Sequence, residues 1–419
     1  MIFLLCGLAQ LHRPPTLSAL RAARTPEQLA QLALVPAARN LGVAIGLLPT
    51  RLRAEATAAV LSCRVLDAYE NLAEWTVAGG AVIAAADYLA GTSDVMPPPL
   101  DAIAVRDSEA VDLLLAERIC DVRALVSALP AVERERTGRM LSGVAEVMAR
   151  NLDSPLSRLA YGEGVLGRVT LHACVLLAAD AAAKVDLAEL AGCVGYSAQL
   201  ANDLRDDELA SYDVADREEL VSAVVLRLLT PALGSLALLR WLGSHTASRG
   251  ARTAIAYLAI TTSAFFCTAT DAPAPYRKWW QLGAAVLAAQ SADRWTTMVS
   301  RIGHSTDVAI HEFLNTSAQV DSMADGVPAA LRWSEAGIWS PSLHELTVET
   351  TFALVHELPE EPLTEELSVA HVRRMMLADH LAFSALERVP ACDTDGMRSL
   401  ARRFMLASTS NNSSSKGHP

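Results

Sequence analysis

From Ala37 to Ala78 apolar residues recur at three- and four-residue spacing, the repeat of one helical face. Pro97-Pro98-Pro99 then reads as a stiff loop. The helical pattern resumes near Asp107, with interruptions at Pro130, Pro155 and Pro231. Past Pro273 and Pro275, the stretch Tyr276 to Ile302 predicts one further helix. Residues 341–362 are less regular, Glu365 to Leu406 is again helical in pattern, and the Ser/Asn-rich end predicts disorder. Asn-Gly and Asp-Gly turns between alternating runs are scarce. The expectation is an all-α chain. Residues 1–315 would form a single helical domain around a central cavity, residues 316–407 extra C-terminal helices packed on it, and residues 408–419 a tail.

Composition sharpens this picture. Hydrophobic residues make up 52% of the 419 and charged residues 20%, enough apolar material for a sizeable core. Much of it is Ala and Leu, both strong helix formers. The net charge of −12 argues against nucleic acid, which is gripped by Lys and Arg. An anionic ligand would need metal bridges or a local arginine cluster. The seven cysteines are odd in number and contain no C-x-x-C pair, which predicts a reducing, cytoplasmic setting. No transmembrane span is expected. Met1 to Leu8 is short and lacks a basic flank. Ile255 to Thr270 carries Thr261, Thr262 and Ser263 and falls short of about 20 residues.

Three segments carry chemistry. In the first, Asp67, Glu70, Asn71 and Glu74 recur at spacings that share a helical face, in a segment otherwise apolar. Such like charges repel, and either solvent or Mg²⁺ would relieve them. In the second, Gln199, Asn202 and Asp206 share a face, Asp203 and Asp207 form a pair one step round, and the cluster ends a helix of small apolar residues. The third places Gly162, Gly164 and Gly167 inside a helical run with Tyr161, Arg168 and His172 on one face. Glycines there cost about 0.5–1 kcal/mol each. A kink, a tight helix contact or a groove for a ligand chain would each explain them.

In order and spacing these segments resemble the squalene/phytoene synthase family of head-to-head prenyl synthases. Cys63, Arg64 and Asp67 match its CR-x-x-D-D/E-x-x-D helix. Tyr161, Val165 and Gly167 match YCY-x-VAG-x-VG, and Gln199, Leu200, Asn202, Leu204, Arg205 and Asp206 match QLTNILRD-x-x-ED. Ala38-Arg39-Asn40-Leu41 through Leu47-Leu48-Pro49 is similar to the opening SRSFY…LLP segment. The resemblance implies the isoprenoid-synthase fold, with two acidic helices holding Mg²⁺ on a diphosphate across a cavity mouth. Asp67, Glu70 and Asn71 would be metal ligands on one wall, Asn202 and Asp206 on the other. Arg64, Arg205, Tyr161, Arg168 and Gln199 would bind substrate, and Gly164 and Gly167 would leave room for the prenyl chain.

The motifs are reduced. Ala68, Asn71, Leu209 and Ala210 stand where the family has acids, and Ser211-Tyr212-Asp213-Val214 replaces its basic run. Ligands for one diphosphate remain. The resemblance therefore points to a phytoene-synthase-like prenyltransferase of secondary metabolism. It would join one allylic isoprenoid diphosphate to a small aromatic acceptor of indole or carbazole type. Catalysis would rest on Asp67 and Asp206 for the leaving group, with Glu163 or Asp203 taking the released proton. A head-to-head synthase or terpene cyclase, and a non-catalytic helical scaffold, are the competing expectations. Prenyl length, acceptor and oligomeric state are not legible.

Overall fold

A computed structural model describes residues 10–11, 13–101, 107–184, 187–212 and 214–316. The expected C-terminal helical region and tail lie outside the described residues. Among the described residues every regular element is helical. Helix α1 is Leu17–Arg21, α2 Pro26–Leu47, α3 Thr50–Leu72, α4 Trp75–Ala90, α5 Asp107–Glu117, α6 Ile119–Ser127 and α7 Ala131–Asp153. Then come α8 (Arg158–Gly162), a π-helical turn (Glu163–Gly167) and α9 (Arg168–Ala182). The rest are α10 (Ala188–Asp206), α11 (Arg217–His245), α12 (Arg249–Ala269), α13 (Gln281–Ala288) and α14 (Ala292–Thr316).

Local chemistry sets many boundaries. Thr25 caps α2 by accepting from Gln28 N at 3.2 Å, and Pro26 follows at the first turn, where its missing N–H costs nothing. Asp216 caps α11 through Glu219 N at 2.8 Å. Gly91, at φ 77°, closes α4 in the left-handed conformation that a side chain resists. Helix α3 lies inside, touching α2, α4, α5, α6 and α7, while α4 runs along α7 and α10 along α11. One large apolar cluster unites α1–α7 with α12–α14. A smaller one, with Tyr196, Leu200, Leu204 and Leu220, joins α10 to α11.

Several expected boundaries move. The Ala37 to Ala78 run is α2, α3 and the start of α4, divided at Pro49 and Glu74. The Tyr276 to Ile302 stretch is a 3₁₀ turn, α13 and α14, because Ser291 starts a new helix. Pro231 lies inside α11 rather than ending a helix. Pro36 is likewise inside α2, but there the helix breaks three residues later. Arg39 adopts φ 47°, ψ −122°, and the chain doubles back so closely that a Cβ on Gly42 would stand 2.6 Å from the Leu34 carbonyl oxygen. Trp295 is core, donating to the Leu239 carbonyl at 3.0 Å, whereas Trp279 and Trp280 are exposed.

Pro26–Leu47 and Arg158–Ala182 are long and apolar enough to cross a membrane by length and composition alone. Each is interrupted, by the Arg39 break and by the π turn, and both pack within the bundle. A helix with core on several sides has that composition too.

Candidate functional site

The first wall is the C-terminal end of α3. Arg64 donates to Asp67 Oδ2 at 2.6 Å and clasps Asp112 of α5 with Nε on Oδ1 at 2.9 Å and Nη2 on Oδ2. The Asp67 side chain keeps 24% of its exposure. Burial raises its pKa, against the pull of Arg64. One turn on, Glu70 Oε2 accepts the Tyr161 hydroxyl at 2.6 Å. Burial lifts the Glu70 carboxyl to about 7, outweighing the Tyr161 and Asn151 hydrogen bonds, and nearby Asp67 adds to the rise. Asp112 rises to about 6, again chiefly by burial and against Arg64. For Arg64, burial opposes the charge, but Asp67 and Asp112 prevail and raise its pKa.

The expected fourth member of this face drops out. Helix α3 ends at Leu72 and Ala73 is extended, so Glu74 begins the turn into α4 and accepts from the Thr76 hydroxyl at 3.1 Å. Asn71 is on the last turn and exposed.

The second wall is the C-terminal end of α10. Arg205 holds Asp206 with two bonds, 2.9 and 2.7 Å, and also donates to the Asn202 side-chain oxygen. Asp207 ends the helix in the left-handed conformation, φ 56°, so the acidic run cannot continue on the same face. Asp213 is outside the described residues.

Asp203 sits one step round and is fully buried. Arg158 donates to both its oxygens, one at 2.9 Å, Gln199 to Oδ1 at 2.7 Å and the Tyr212 hydroxyl to Oδ2 at 2.8 Å. A carboxylate so engaged is a structural anchor, which removes Asp203 from the role of proton acceptor and gives Gln199 to the same network. Arg158, which also reaches Glu208 at 2.8 Å, was not singled out by the sequence.

Three elements tie the walls together. Tyr161 links Glu70 to α8, whose neighbour is α10. The π turn crosses α10 at bare backbone. A Cβ on Gly167 would stand 3.0 Å from Gly192 Cα, one on Gly162 3.0 Å from Tyr196 Cα, and one on Gly195 would overlap the Gly167 amide. Gly164 faces Val147 of α7, where a Cβ would come within 2.7 Å of Cγ1. The glycines thus serve helix contact, which corrects the expectation that Gly164 and Gly167 make room for a prenyl chain. The third tie is Arg39. Burial lowers its pKa, Arg205 and Arg64 lower it further, and Asp206 opposes them. One guanidinium therefore feels both walls.

The π turn also explains a misplaced residue. It inserts an extra residue into the helical count, turning everything after it by about 100°. Arg168 consequently faces away from Tyr161, is exposed, and lays its guanidinium over Gly143 of α7. It does not join the carboxylate cluster. Glu163, half-buried, packs its side chain against Gly192, two turns of α10 before Gln199.

Mg²⁺ commonly uses one or two carboxylates together with substrate phosphate oxygens. Among the described residues no three His, Cys, Asp or Glu side chains converge as a ready-made metal site. The residues fit a shared ion instead. Asp67 on one wall and Asp206 on the other each present a carboxylate, and the burial that disfavours the Asp67 anion is what a cation would relieve.

No protein-family model matches the chain, and no curated protein matches it. Among solved structures, a ligand complex of TcSQS, a squalene synthase, aligns with TM-score 0.53 and 15% identity, over 73% of this chain and 97% of that one. A second ligand complex of TcSQS gives TM-score 0.47 and 14% identity, over 86% and 98%. The chain has the all-helical fold seen in squalene synthase.

Proposed function

We propose that this chain is a Mg²⁺-assisted prenyltransferase that transfers the prenyl group of one allylic isoprenoid diphosphate to a small aromatic acceptor. The observation that carries the reading is the electrostatic convergence of Arg39, Arg64 and Arg205 with Asp67 and Asp206. In a chain of net charge −12 such a cluster needs a reason, and a diphosphate supplies one. Arg39 holds a sparsely populated backbone conformation to take part, strain of a kind that gathers at ligand sites.

Each residue then has a task. Arg64 and Arg205 are held by Asp112 and Asp206, and with Arg39 they orient the diphosphate and balance its charge. Asp67 and Asp206, with Asn71 and Asn202 beside them, would hold Mg²⁺. Bound there, the ion would act as a Lewis acid on the departing diphosphate. The apolar helices keep water from the allylic cation. Glu70, expected as a metal ligand, is instead engaged by the Tyr161 hydroxyl, and with its pKa near 7 it takes the proton that the ring loses on alkylation. It replaces Asp203 in that role, with Glu163 as the other carboxyl on this side of the bundle.

Calorimetry with farnesyl thiolodiphosphate tests the reading. Binding should require Mg²⁺ and weaken at least tenfold in Arg39→Ala. Binding that ignores both the ion and Arg39 would overturn it. The fold likeness favours one rival, a head-to-head synthase. A hydrocarbon product from farnesyl diphosphate alone, with no acceptor added, would decide for that rival.

A further inference from the structure

Between α12 and α14 the chain presents an aromatic and basic segment that the diphosphate site does not use. Tyr276-Arg277-Lys278-Trp279-Trp280 leads through the 3₁₀ turn into α13. Arg277 and Lys278 are exposed, and the two indoles are 76% and 42% exposed. Their ring centroids lie 5.8 Å apart. The Trp280 ring covers the first turn of α13, where a Cβ on Gly283 would come within 2.7 Å of it. Val286 and Leu287, three and four residues on, share that face of the helix and are exposed as well. Ala284, Ala285 and Ala288 turn the other face into the core. The aromatic pair and the aliphatic pair are thus one apolar strip along α13.

Its charge is the reverse of the chain's. The net charge is −12, yet between Asp271 and Asp293 there is no acid, and Arg277 and Lys278 are the only charged residues. Arg301 of α14, also exposed, places its guanidinium 4.6 Å from the Tyr276 ring centre and adds a third cation beside the turn. Acids elsewhere on the surface do not cancel this patch, because salt screens exposed charges beyond about 8 Å.

Size narrows the choice of occupant. At those exposures the two indoles offer at most about 300 Å². Val286 and Leu287 leave the strip below the about 800 Å² that a stable protein interface takes from each partner. A lipid surface sets no such threshold. Trp suits the membrane–water boundary, with an apolar ring and a wet N–H, and cations next to it meet anionic headgroups.

We propose that the 3₁₀ turn and α13 form a reversible docking surface for an anionic lipid bilayer. Trp279 and Trp280 enter the headgroup boundary, Val286 and Leu287 follow them, and Arg277, Lys278 and Arg301 rest on the headgroups. The surface stands apart from the diphosphate site and needs no membrane-spanning helix.

Co-flotation of the full chain with vesicles of phosphatidylcholine, alone or mixed with phosphatidylglycerol, tests this. Binding should favour the anionic vesicles at least tenfold and fade as salt is raised. Arg277→Gln together with Lys278→Gln should cost about 20- to 30-fold, at about fivefold for each basic residue. Trp279→Ser should weaken binding at least tenfold and abolish the blue shift that vesicles produce in tryptophan emission. These side chains are exposed, so the melting temperature should not move in either variant. No flotation with either vesicle, equal affinity for both, or flotation that survives Trp279→Ser overturns the proposal. So does self-association in sedimentation velocity that Trp279→Ser dissolves, which makes a second copy the occupant. None of these results bears on the diphosphate reading, which calorimetry decides separately.

Discussion

The two acidic walls hold similar residues in opposite ways. On α3 the carboxyls are crowded and incompletely neutralised, so burial drives Glu70 to about 7 and Asp112 to about 6. On α10 the charges are settled: Asp203 is enclosed by Arg158, Gln199 and Tyr212, and Asp206 is paired with its neighbour Arg205 near the surface. A carboxyl whose charge is poorly compensated can take or release a proton near neutrality, whereas one that is fully bonded holds a helix in place. The α3 wall is therefore where proton chemistry belongs, and the α10 wall supplies anchorage and fixed charge.

Breaking the anchored wall should have the largest effect. Asp203→Ala leaves the half-buried Arg158 with Glu208 alone and strands Gln199 and Tyr212. Removing one member of a fully buried pair costs about 3–5 kcal/mol, and the loss here should reach at most that range because Glu208 remains. Denaturant unfolding should record that loss, while Asp203→Asn, which keeps some acceptors, should lose less. Near-native stability in the alanine variant would show that the network does not anchor α10.

Next is the live wall. With Glu70 as base, kcat/KM should climb through a single ionisation centred near pH 7. Glu70→Gln should flatten that limb and lower the rate about a hundredfold, the usual scale of general-base assistance. Stability should run the other way. A carboxyl whose folded pKa is raised contributes its stability below the unfolded value, about 4.3, and loses it as pH rises through about 7. The Gln variant should lack this decline between pH 5 and 8. An activity limb unmoved by the substitution would send the search for the base to Glu163.

How far the sequence shows these differences depends on the distance over which each is determined. The helical class follows from local periodicity. The acidic ends of α3 and α10 follow from spacing within a single helix, as do Arg64 with Asp67 and Asn202 with Asp206. Asp112 and Arg158 are invisible to that logic. Neither has its partner within its own helix, and only tertiary packing brings it to Arg64 or Asp203. Arg168 fails for a subtler reason: a helical wheel assumes one period, and the π turn changes the phase between Tyr161 and everything after it. Glycine pairs at 162, 167, 192 and 195 hint at a close crossing in hindsight, yet bare backbone signals a helix contact and a ligand groove equally.

The smallest expected effect tests where the live wall ends. Asn71 occupies the place of an acidic residue in the resembling motif, but it lies on the last turn of α3 and is exposed. An amide oxygen there is a neutral, solvated donor to a cation, and losing it should weaken Mg²⁺ dependence only about two- to threefold, since an exposed group gives up little that water does not replace. Asn71→Asp should strengthen it, because a second charge one turn from Asp67 raises the field on the ion. The added repulsion within α3 stays at a few tenths of a kcal/mol. If Asn71→Ala instead abolishes the Mg²⁺ dependence, the ion sits further toward solvent than Asp67, and the space between Asp67 and Asp206 is not where the diphosphate is held.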